Sequence, residues 1–410
     1  MTGIIAEYNP FHNGHKYHIE EVRKLTGADY CIVVMSGNFT QRGEPALMDK
    51  YLRTEMALEA GADLVLELPV CYACASAPYF ATGAIALLDK LGVTDYVAFG
   101  SESGEICAIR EIARILVEEP ALYTRRLKDY LKSGLSYPSA QSKAIVDYMG
   151  QTSSELLSSP NNLLGIEYCK ALLSRSSKIQ PVTIARKGGG YSDTALQTEN
   201  SSALAIRSAL CKASEPDCLE RIQTQVPDFV YSRMQSQYQK TFPVFPDMLS
   251  ALLHYQLLLH ADQGFADYLD VSEDLSDRIC NKLPDYSDFS SFCTLLKTKE
   301  MTYTRISRSL LHILLDIRKS DMQQYRDDDW ISYGRILGFR KDSTPLLSAI
   351  KANASIPLIS KLAGAHKYLE GTAKKQLEKD IQAAHIYNSF IQHTYGTHLP
   401  VEMQRQIIRR

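Results

Sequence analysis

The sequence predicts an α/β protein in which a parallel sheet with crossover helices is followed by a mainly α-helical C-terminal region. Up to about residue 110, short β-rich runs alternate with amphipathic segments, as in parallel sheets. From about residue 225, apolar residues recur at intervals of three and four, and strand signals are scarce. Because 410 residues exceed the usual size of one core, we predict two domains, residues 1–225 and 226–410. A boundary anywhere between 215 and 240 fits equally well.

The first predicted element is a buried strand that ends at Ala6, followed by an Asn9-Pro10 turn and by a helix that begins near His15. Further strands are predicted at residues 28–35, 62–68, 95–100 and 181–186. Helical segments are predicted at 49–60, through much of 105–175, and from 201. The uncharged stretch 68–88 is interrupted by prolines, so we expect a loop and a buried helix there and no membrane span.

The C-terminal region is expected to consist of amphipathic helices. They are predicted at residues 245–259, 289–297, 304–317, 344–352, 356–362 and 371–390. Clusters of arginine are found here, although the net charge of the whole chain is only −2. Any binding of nucleic acid therefore has to use a local basic patch.

The composition excludes several classes of protein. With 45% hydrophobic and 22% charged residues, the chain is typical of soluble globular proteins, and we expect a cytoplasmic location without a membrane partner. Nine scattered cysteines predict reduced core residues. The pair Cys71 and Cys74 has no partner at zinc-ligand spacing, so no metal site is predicted. The sequence leaves the oligomeric state open.

The candidate functional side chains are most concentrated in residues 7–18, from the end of the first strand to the first turns of the first helix. His12 and His15 are three residues apart and point to one side if the helical turn includes both. A helix N-terminus attracts phosphate, and imidazoles can donate hydrogen bonds to it. Gly14 removes a side chain that would keep a nucleotide from the backbone. These residues predict a polyphosphate site; the alternative is a helix cap that binds no ligand.

In open α/β sheets ligands collect beyond the carboxyl ends of the strands, so the loops with His12, residues 36–42, Pro69 and residues 100–102 are candidate walls of one pocket. The glycine-rich run 187–191 would let the backbone approach a ligand or move when one binds. The segment 201–207 opens a helix with two serines and carries Arg207 one or two turns in. Taken alone, this segment is more typical of a capped surface helix.

The pairing of His12-Asn13-Gly14-His15 with a serine-rich helix start ending in Ile206-Arg207 resembles the HxGH nucleotidyltransferase superfamily. Longer strings are more specific, namely EYNPFHNGH at 7–15, MSGNFTQRGEP at 35–45, SPNN at 159–162 and LGF at 337–339. Together they resemble the tRNA(Met) cytidine acetate ligase family over nearly the whole chain. The resemblance implies that the N-terminal sheet belongs to a Rossmann-like nucleotidyltransferase domain.

The resemblance further implies ATP-dependent acetylation of the N4 atom of the wobble cytidine, position 34, in elongator tRNA(Met). Acetate and ATP would first form acetyl-adenylate and pyrophosphate, and the cytidine amine would then attack the acyl carbon. The first step needs stabilisation of negative charge, which imidazoles, a helix N-terminus and arginines provide. Mg²⁺ is implied with the ATP. No residue in the sequence stands out as a base for the amine.

By the same resemblance, the catalytic candidates are His12 and His15. The implied ATP-binding residues are Ile5, Ala6, Glu7, Tyr8, Asn9, Pro10, Phe11, His12, Asn13, Gly14, His15, Lys16, Tyr17, His18, Gly100, Asn161, Asn162, Arg186, Ser202 and Arg207. In this set, Gly100 would lie against the nucleoside and Arg207 near the β- and γ-phosphates. Asn161 or Asn162 would complete the pocket together with Arg186.

Arginines of the C-terminal region are the candidates for binding tRNA. Arg305 and Arg308 fall on one predicted helical face with His312. Arg340 and Lys341 form a second cluster. Such clusters are commonly solvated faces, but the resemblance favours contacts with the phosphate backbone, which would make binding dependent on salt.

Two other functions are compatible with the sequence. The same ATP site supports adenylylation of a small phosphorylated metabolite, although enzymes of that kind are often more compact. The other alternative is a non-catalytic, nucleotide-gated RNA-binding protein. It is made plausible by Leu204, which stands where the second motif of the superfamily usually has a hydroxyl residue, so that one expected phosphate contact is missing.

Overall fold

The computed structural model describes residues 1–151, 153–186, 196, 201–211 and 218–410, without the side chain of residue 366. In this part of the chain, eight strands form one mixed sheet. They are β1 (Thr2–Ala6), β2 (Cys31–Ser36), β3 (Leu64–Leu68), β4 (Tyr96–Ser101), β5 (Gln180–Ala185), β6 (Gly334–Phe339), β7 (Leu358–Ile359) and β8 (Ile408–Arg409). The glycine-rich run 187–191 lies outside the described residues.

Helices account for most of the remaining described chain. They are α1 (Asn13–Thr26), α2 (Lys50–Glu59), α3 (Val70–Ala73), α4 (Ala77–Lys90), α5 (Ile106–Glu118), α6 (Ala121–Lys132), α7 (Tyr137–Met149), α8 (Ser153–Ser158), α9 (Pro160–Ser174), α10 (Ala203–Cys211), α11 (Asp228–Gln237), α12 (Ser250–His260), α13 (Glu273–Lys282), α14 (Phe289–Leu296), α15 (Tyr303–Leu314), α16 (Lys319–Asp327), α17 (Thr344–Asn353) and α18 (Gly371–Tyr395). Of these described helices, none is both long and apolar enough to cross a bilayer.

The strand order is β5-β4-β1-β2-β3-β6-β7, with β8 paired to β6. The strands β1 to β5 run parallel, and Ile4 in β1 lies between Val33 of β2 and Ala98 of β4. The chain steps from β1 to β2 and β3 in one direction and then returns to place β4 on the other side of β1. Open α/β sheets bind ligands at such a reversal, and the space beyond the carboxyl end of β1 is here called the crevice. The predicted parallel sheet is thereby confirmed.

The sheet also contains β6, which was not predicted and which pairs antiparallel with β3. Its run of six residues includes two glycines and Arg335, so its sequence has a weak β signal. Gly338 is needed for close packing, because a Cβ there would lie 2.8 Å from Thr54 Cγ2. The predicted helix at 356–362 is wrong. Pro357 disfavours helix at the preceding residue, and its carbonyl accepts a hydrogen bond from Gly334 N–H at 2.9 Å, beside β7.

Two apolar layers cover the sheet. Alternate residues of β2 supply both, with Val33 facing the layer under α1, α2 and α11, and Val34 facing the layer under α4 and α9. The second layer continues without a break into α12 to α15 and α18. The helical C-terminal region therefore packs directly against the sheet that carries His12.

Candidate nucleotide site

His12 is the N-cap of α1 and precedes its first turn. Its Nδ1 accepts a hydrogen bond from the Gly14 N–H at 3.1 Å. The Nδ1 of His15 in turn accepts a hydrogen bond from the His12 N–H at 3.3 Å. The two rings stack, with their centroids 3.7 Å apart. Both imidazoles therefore face one side, as predicted, but a capping box brings them together and not a shared helical turn.

These hydrogen bonds fix the tautomer of both rings. An Nδ1 that accepts a hydrogen bond carries no proton, so the proton of the neutral imidazole is on Nε2. Burial, together with the charges of Arg186 and Arg207, lowers the pKa of His12 to about 3. Burial, followed by the proximity of His12, lowers the pKa of His15 well below its ordinary value. Near pH 7 both rings are thus neutral and offer an Nε2–H donor.

Gly14 is required by the same arrangement. A Cβ at this position would lie 2.9 Å from Cε1 and 3.1 Å from Nδ1 of His12. Any larger residue would displace the imidazole that caps the helix. The glycine therefore makes room for the catalytic candidate itself, in addition to the predicted access for a nucleotide.

Gly100 and Arg186 lie together at the ends of β4 and β5. The Arg186 N–H donates to the Ser101 carbonyl at 3.0 Å, and a Cβ on Gly100 would lie 3.3 Å from Arg186 Cγ. A side chain at position 100 would crowd the exposed Arg186 side chain. Its charge acts on His18 as well as on the two stacked histidines, and burial followed by this charge lowers the pKa of His18 to about 4. Arg186 thus disfavours the protonation of three imidazoles.

Arg207 reaches the first loop from α10. Its Nη1 donates to the Asn9 carbonyl at 2.6 Å. Ser202 Oγ accepts from the Ala205 N–H at 3.1 Å and caps the same helix. The segment from residue 201 therefore is a capped helix that also delivers an arginine to the predicted site. Ser202 contributes to the site indirectly, through the cap that holds α10 in place. This cap does not depend on the hydroxyl that Leu204 lacks.

Asn161 and Asn162 begin α9 and hold the loop after β4. The carboxylate of Glu102 accepts hydrogen bonds from the Asn162 N–H at 3.0 Å and from the Asn161 side chain at 2.6 Å. The Asn162 Oδ1 accepts from the backbone N–H groups of Glu102 and Ser103 at 3.0 and 3.2 Å. Because Asn162 is 2% exposed, its effect on the site is to position this loop.

The other predicted ATP-binding residues lie in the first loop and in the elements on either side of it. Tyr8 and Phe11 are buried with their rings 4.9 and 5.5 Å from the ring of His15. Asn13 Nδ2 donates to the Thr224 carbonyl at 2.8 Å, and exposed Lys16 lies 4.0 Å from Glu20. The remaining members of this group are Ile5, Ala6, Glu7, Pro10 and Tyr17, at the end of β1, in the turn and on α1.

Arg53 was not predicted, yet it ties the site together. It is fully buried in α2, and its guanidinium donates to the carbonyls of Glu7 at 2.6 Å, Ser36 at 3.1 Å, Met48 at 3.0 Å and Gly37. The ends of β1 and β2 are therefore fixed by one buried cation. Its sequence neighbours include other charged residues, which is typical of an exposed helix, so no sequence signal marks its burial.

A buried ion network adjoins the same edge and was also missed. Lys50 Nζ lies 2.7 Å from Glu67 and 3.1 Å from Glu402, and Arg335 Nη1 lies 2.9 Å from Glu67 and also pairs with Glu402. Burial opposes the charge of Glu402, but Lys50 and Arg335 together lower its pKa to about 2. Two cations and two anions thus balance one another and join α2, β3, β6 and the C-terminal segment.

The two predicted basic clusters lie at different places. On α15, Arg305 is exposed, whereas Arg308 is half-buried and lies 3.2 Å from Asp270. His312, on the same helix, is buried, with Nδ1 2.9 Å from the Leu269 carbonyl oxygen and Nε2 3.0 Å from that of Cys74. The histidine is therefore not part of an exposed basic face, because the helix packs it against the core.

Arg340 and Lys341 follow β6, and they lie at the opposite edge of the sheet from His12. Because β6 is antiparallel to β3, its end lies beside the start of β3, where Arg340 N–H donates to the Asp63 carbonyl at 2.9 Å. Arg340 also pairs with Asp342 at 2.7 Å, while Lys341 is exposed. These cations are remote from the crevice beyond β1.

We expect the lowered pKa of His12 to appear in the pH dependence of stability. An unfolded histidine titrates near 6.5 and the folded one at about 3, so unfolding takes up a proton as pH falls below about 6.5. His12→Asn keeps a good N-cap but removes this titration. Between about pH 7 and pH 5, urea unfolding should show the wild type losing roughly 1 to 2 kcal/mol more than the variant. Parallel losses in both proteins would contradict the assignment.

Similarity to known proteins agrees with this geometry. The family model of the HIGH Nucleotidyl Transferase matches residues 1–399. A tRNA(Met) cytidine acetate ligase of Thermoanaerobacter sp. (strain X514) is 42% identical over 389 residues, which cover 94% of each chain. The corresponding ligase of Clostridium novyi (strain NT) is 40% identical over 390 residues, covering 95% of this chain and 94% of the relative.

Solved structures extend the similarity to the fold. Thermotoga maritima TmcAL without ligand superposes with a TM-score of 0.93 at 33% identity, covering 100% of this chain and 99% of that one. The same protein bound with alpha-thio ATP gives a TM-score of 0.91 at 32% identity, with the same coverage. This chain belongs to the tRNA(Met) cytidine acetate ligase family of HIGH nucleotidyl transferases.

Proposed function

We propose that this protein uses ATP and acetate to acetylate N4 of the wobble cytidine in elongator tRNA(Met). The observation that carries the proposal is the pair of neutral, stacked imidazoles of His12 and His15, with Arg186 and Arg207 near enough to lower the pKa of His12. Nε2–H donors that are fixed in this way before substrate arrives stabilise charge that develops on a reacting phosphate. The choice of acetate as the acyl donor and of tRNA(Met) as the acceptor rests on the names of the relatives.

In the first step, an acetate oxygen attacks the α-phosphorus of ATP and pyrophosphate leaves. Negative charge accumulates on the α-phosphate and on the departing group. The two Nε2–H donors, with no charge to repel either arginine, are assigned to the α-phosphate. Arg207, anchored on the Asn9 carbonyl, is assigned to the β- and γ-phosphates. Gly100 and Arg186 are assigned to the nucleoside end.

Mg²⁺ is proposed to accompany the ATP. Among the described residues, no group of three His, Cys, Asp or Glu side chains could hold a metal ion. The phosphate oxygens and water are therefore the proposed ligands, which is common for this cation. When bound in this way, Mg²⁺ supplies neutralisation of phosphate charge.

The adenylation step can be tested by exchange of labelled pyrophosphate into ATP. We expect exchange that depends on acetate and needs no tRNA, because acetyl-adenylate forms from acetate and ATP alone. Substitution of acetate by a panel of phosphorylated metabolites distinguishes the runner-up, a metabolite adenylyltransferase. Exchange that requires such a metabolite and ignores acetate would contradict the proposal, and an absence of any exchange would favour a non-catalytic nucleotide-binding protein.

We propose that the helical region from residue 226 binds the tRNA and that the two basic clusters contribute unequally. Arg305 is exposed on α15, which touches the loop after β2 through the hydrogen bond from Ser307 Oγ to the Gly43 carbonyl at 2.9 Å. Arg340 and Lys341 lie at the far edge. The α15 face is therefore nearer to the reacting phosphate.

Replacement of Arg305 by Ala should weaken tRNA binding several-fold at moderate salt and should reduce the slope of log affinity against log salt by about 1. The double variant Arg340→Ala and Lys341→Ala should change both quantities less. Filter binding of tRNA(Met) over a salt series measures them. A larger loss in the double variant than in Arg305→Ala would reverse this assignment of the two clusters.

A further inference from the structure

The second step of the proposed reaction lacks a proton acceptor, and the loop after β2 contains a carboxylate that could fill this role. When N4 of cytidine attacks the acetyl carbon, a C–N bond forms, the bond from the acyl carbon to the phosphate oxygen breaks, and AMP leaves. N4 must also release one proton. An acceptor near the amine commonly accelerates such a step by about 10² to 10⁴-fold.

The loop lies on the β2 side of the crevice, opposite the residues assigned to the nucleoside. His12 is at the centre, beyond β1, and the proposed nucleoside contacts Gly100 and Arg186 are on the β4 and β5 side. Residues 37–47 follow β2 and lie on the other side of His12. If the nucleotide takes the first side, the second side is left for the acceptor of the acetyl group.

Contacts with two neighbouring segments hold the tip of this loop in place. On one side, the Gln41 N–H donates to Glu7 Oε1 at 2.7 Å, just beyond β1. On the other, Gly43 has φ +77° and packs so closely on α15 that a Cβ would lie 2.3 Å from the Arg308 nitrogen. The turn itself closes through the Thr40 N–H and the Glu44 carbonyl at 2.9 Å. Glu44 is therefore held between the ATP loop and the helix that carries Arg305.

Within the described chain, the Glu44 carboxylate has no hydrogen-bond or ion-pair partner, and the residue is only partly exposed. Its charged surroundings come from both sides of the crevice. Arg207, Arg42 and Glu7 act on it electrostatically, and Glu44 itself acts on Tyr303 and Cys293 of the helical region.

We propose that Glu44 accepts the proton from N4 of the wobble cytidine during acetyl transfer. This inference rests on the proposed function and adds a residue that acts only in its second step. Burial, opposed in part by Arg207 and Arg42, raises the pKa of Glu44 above its ordinary value, which strengthens the carboxylate as a base. Arg207 is assigned to the ATP phosphates and also acts electrostatically on Glu44. Glu44 would therefore lie where the sites of the two half-reactions meet.

Hydroxylamine separates the two steps, because this strong nucleophile captures acetyl-adenylate without help from a protein base. With ATP and acetate, Glu44→Gln should form acetohydroxamate within about twofold of wild type. Its single-turnover transfer of labelled acetate to tRNA(Met) should fall about 100-fold, with unchanged tRNA affinity. Exposed Glu273→Gln, on α13, is the matched control and should match wild type in all three assays.

The pH profile adds a readout that a structural role would not move. Wild-type transfer should slow as pH falls through the raised pKa of Glu44, and Glu44→Gln should lack this limb. Normal transfer by Glu44→Gln, an equal loss of acetohydroxamate, or a loss confined to tRNA affinity would each overturn the inference. If wild-type protein forms no acetohydroxamate, the proposed function fails first, and the result is distinguishable from failure of Glu44 alone.

Discussion

His15→Ala should reduce acetate-dependent pyrophosphate exchange by about 10² to 10³-fold, the loss expected for one preorganised donor at a reacting phosphate. The variant removes the Nε2–H donor and also the Nδ1 that accepts the His12 N–H at 3.3 Å. The His12 ring then loses its stacking partner at 3.7 Å. The expected effect therefore lies towards the upper end of this range.

Binding of tRNA provides the specificity control for His15→Ala. The affinity for tRNA(Met) should stay within about twofold of wild type, because the proposed tRNA face lies on α15. His398→Ala, at an exposed histidine near the C-terminus, should retain full exchange. Equal losses of exchange and of tRNA affinity would indicate that His15 serves the fold, and retention of exchange would remove it from the phosphate site.

Arg53→Met should lower the free energy of unfolding by about 3 kcal/mol or more and abolish exchange. The methionine fills similar volume but leaves the carbonyls of Glu7, Ser36, Gly37 and Met48 without their buried donor. Each unsatisfied buried acceptor costs on the order of 1 to 3 kcal/mol. The loops after β1 and β2 would then separate, because the buried guanidinium of Arg53 is the group that joins them.

Urea unfolding measures this loss, with Arg114→Met on the exposed face of α5 as the matched control. The control should differ from wild type by less than about 0.5 kcal/mol. Arg53→Lys keeps the charge with fewer and differently placed donors, so an intermediate loss is expected. A wild-type stability for Arg53→Met would mean that the carbonyls find other partners and that the buried cation does not organise the site.

Local pattern was sufficient for the parallel half of the fold. The strands β1 to β5 and the stacked pair His12 and His15 depend on short runs of sequence, whose periodicity and turn residues are visible along the chain. Even there, the physical reason for two features of the site differed in part from the one that the sequence suggested. Gly14 makes room for the His12 ring, and the spacing of the histidines acts through a capping box.

Long-range pairing accounts for what could not be predicted. The antiparallel strand β6 joins β3 across more than half of the chain, and this pairing determines that Arg340 lies opposite the site. Lys50 and Glu402 meet in one buried network although no local pattern relates them. Burial of Arg53 likewise depends on which carbonyls surround it. Such contacts are properties of the assembled core and have no period in the sequence.

The most direct test of the account is transfer of labelled acetate to elongator tRNA(Met) by the purified chain with ATP. An unmodified transcript should gain about one acetyl group per molecule, and a transcript with uridine in place of cytidine 34 should gain none, because uridine lacks the N4 amine. Equal labelling of the two transcripts, or no labelling by folded protein that binds both ATP and tRNA, would contradict the proposed acetylation.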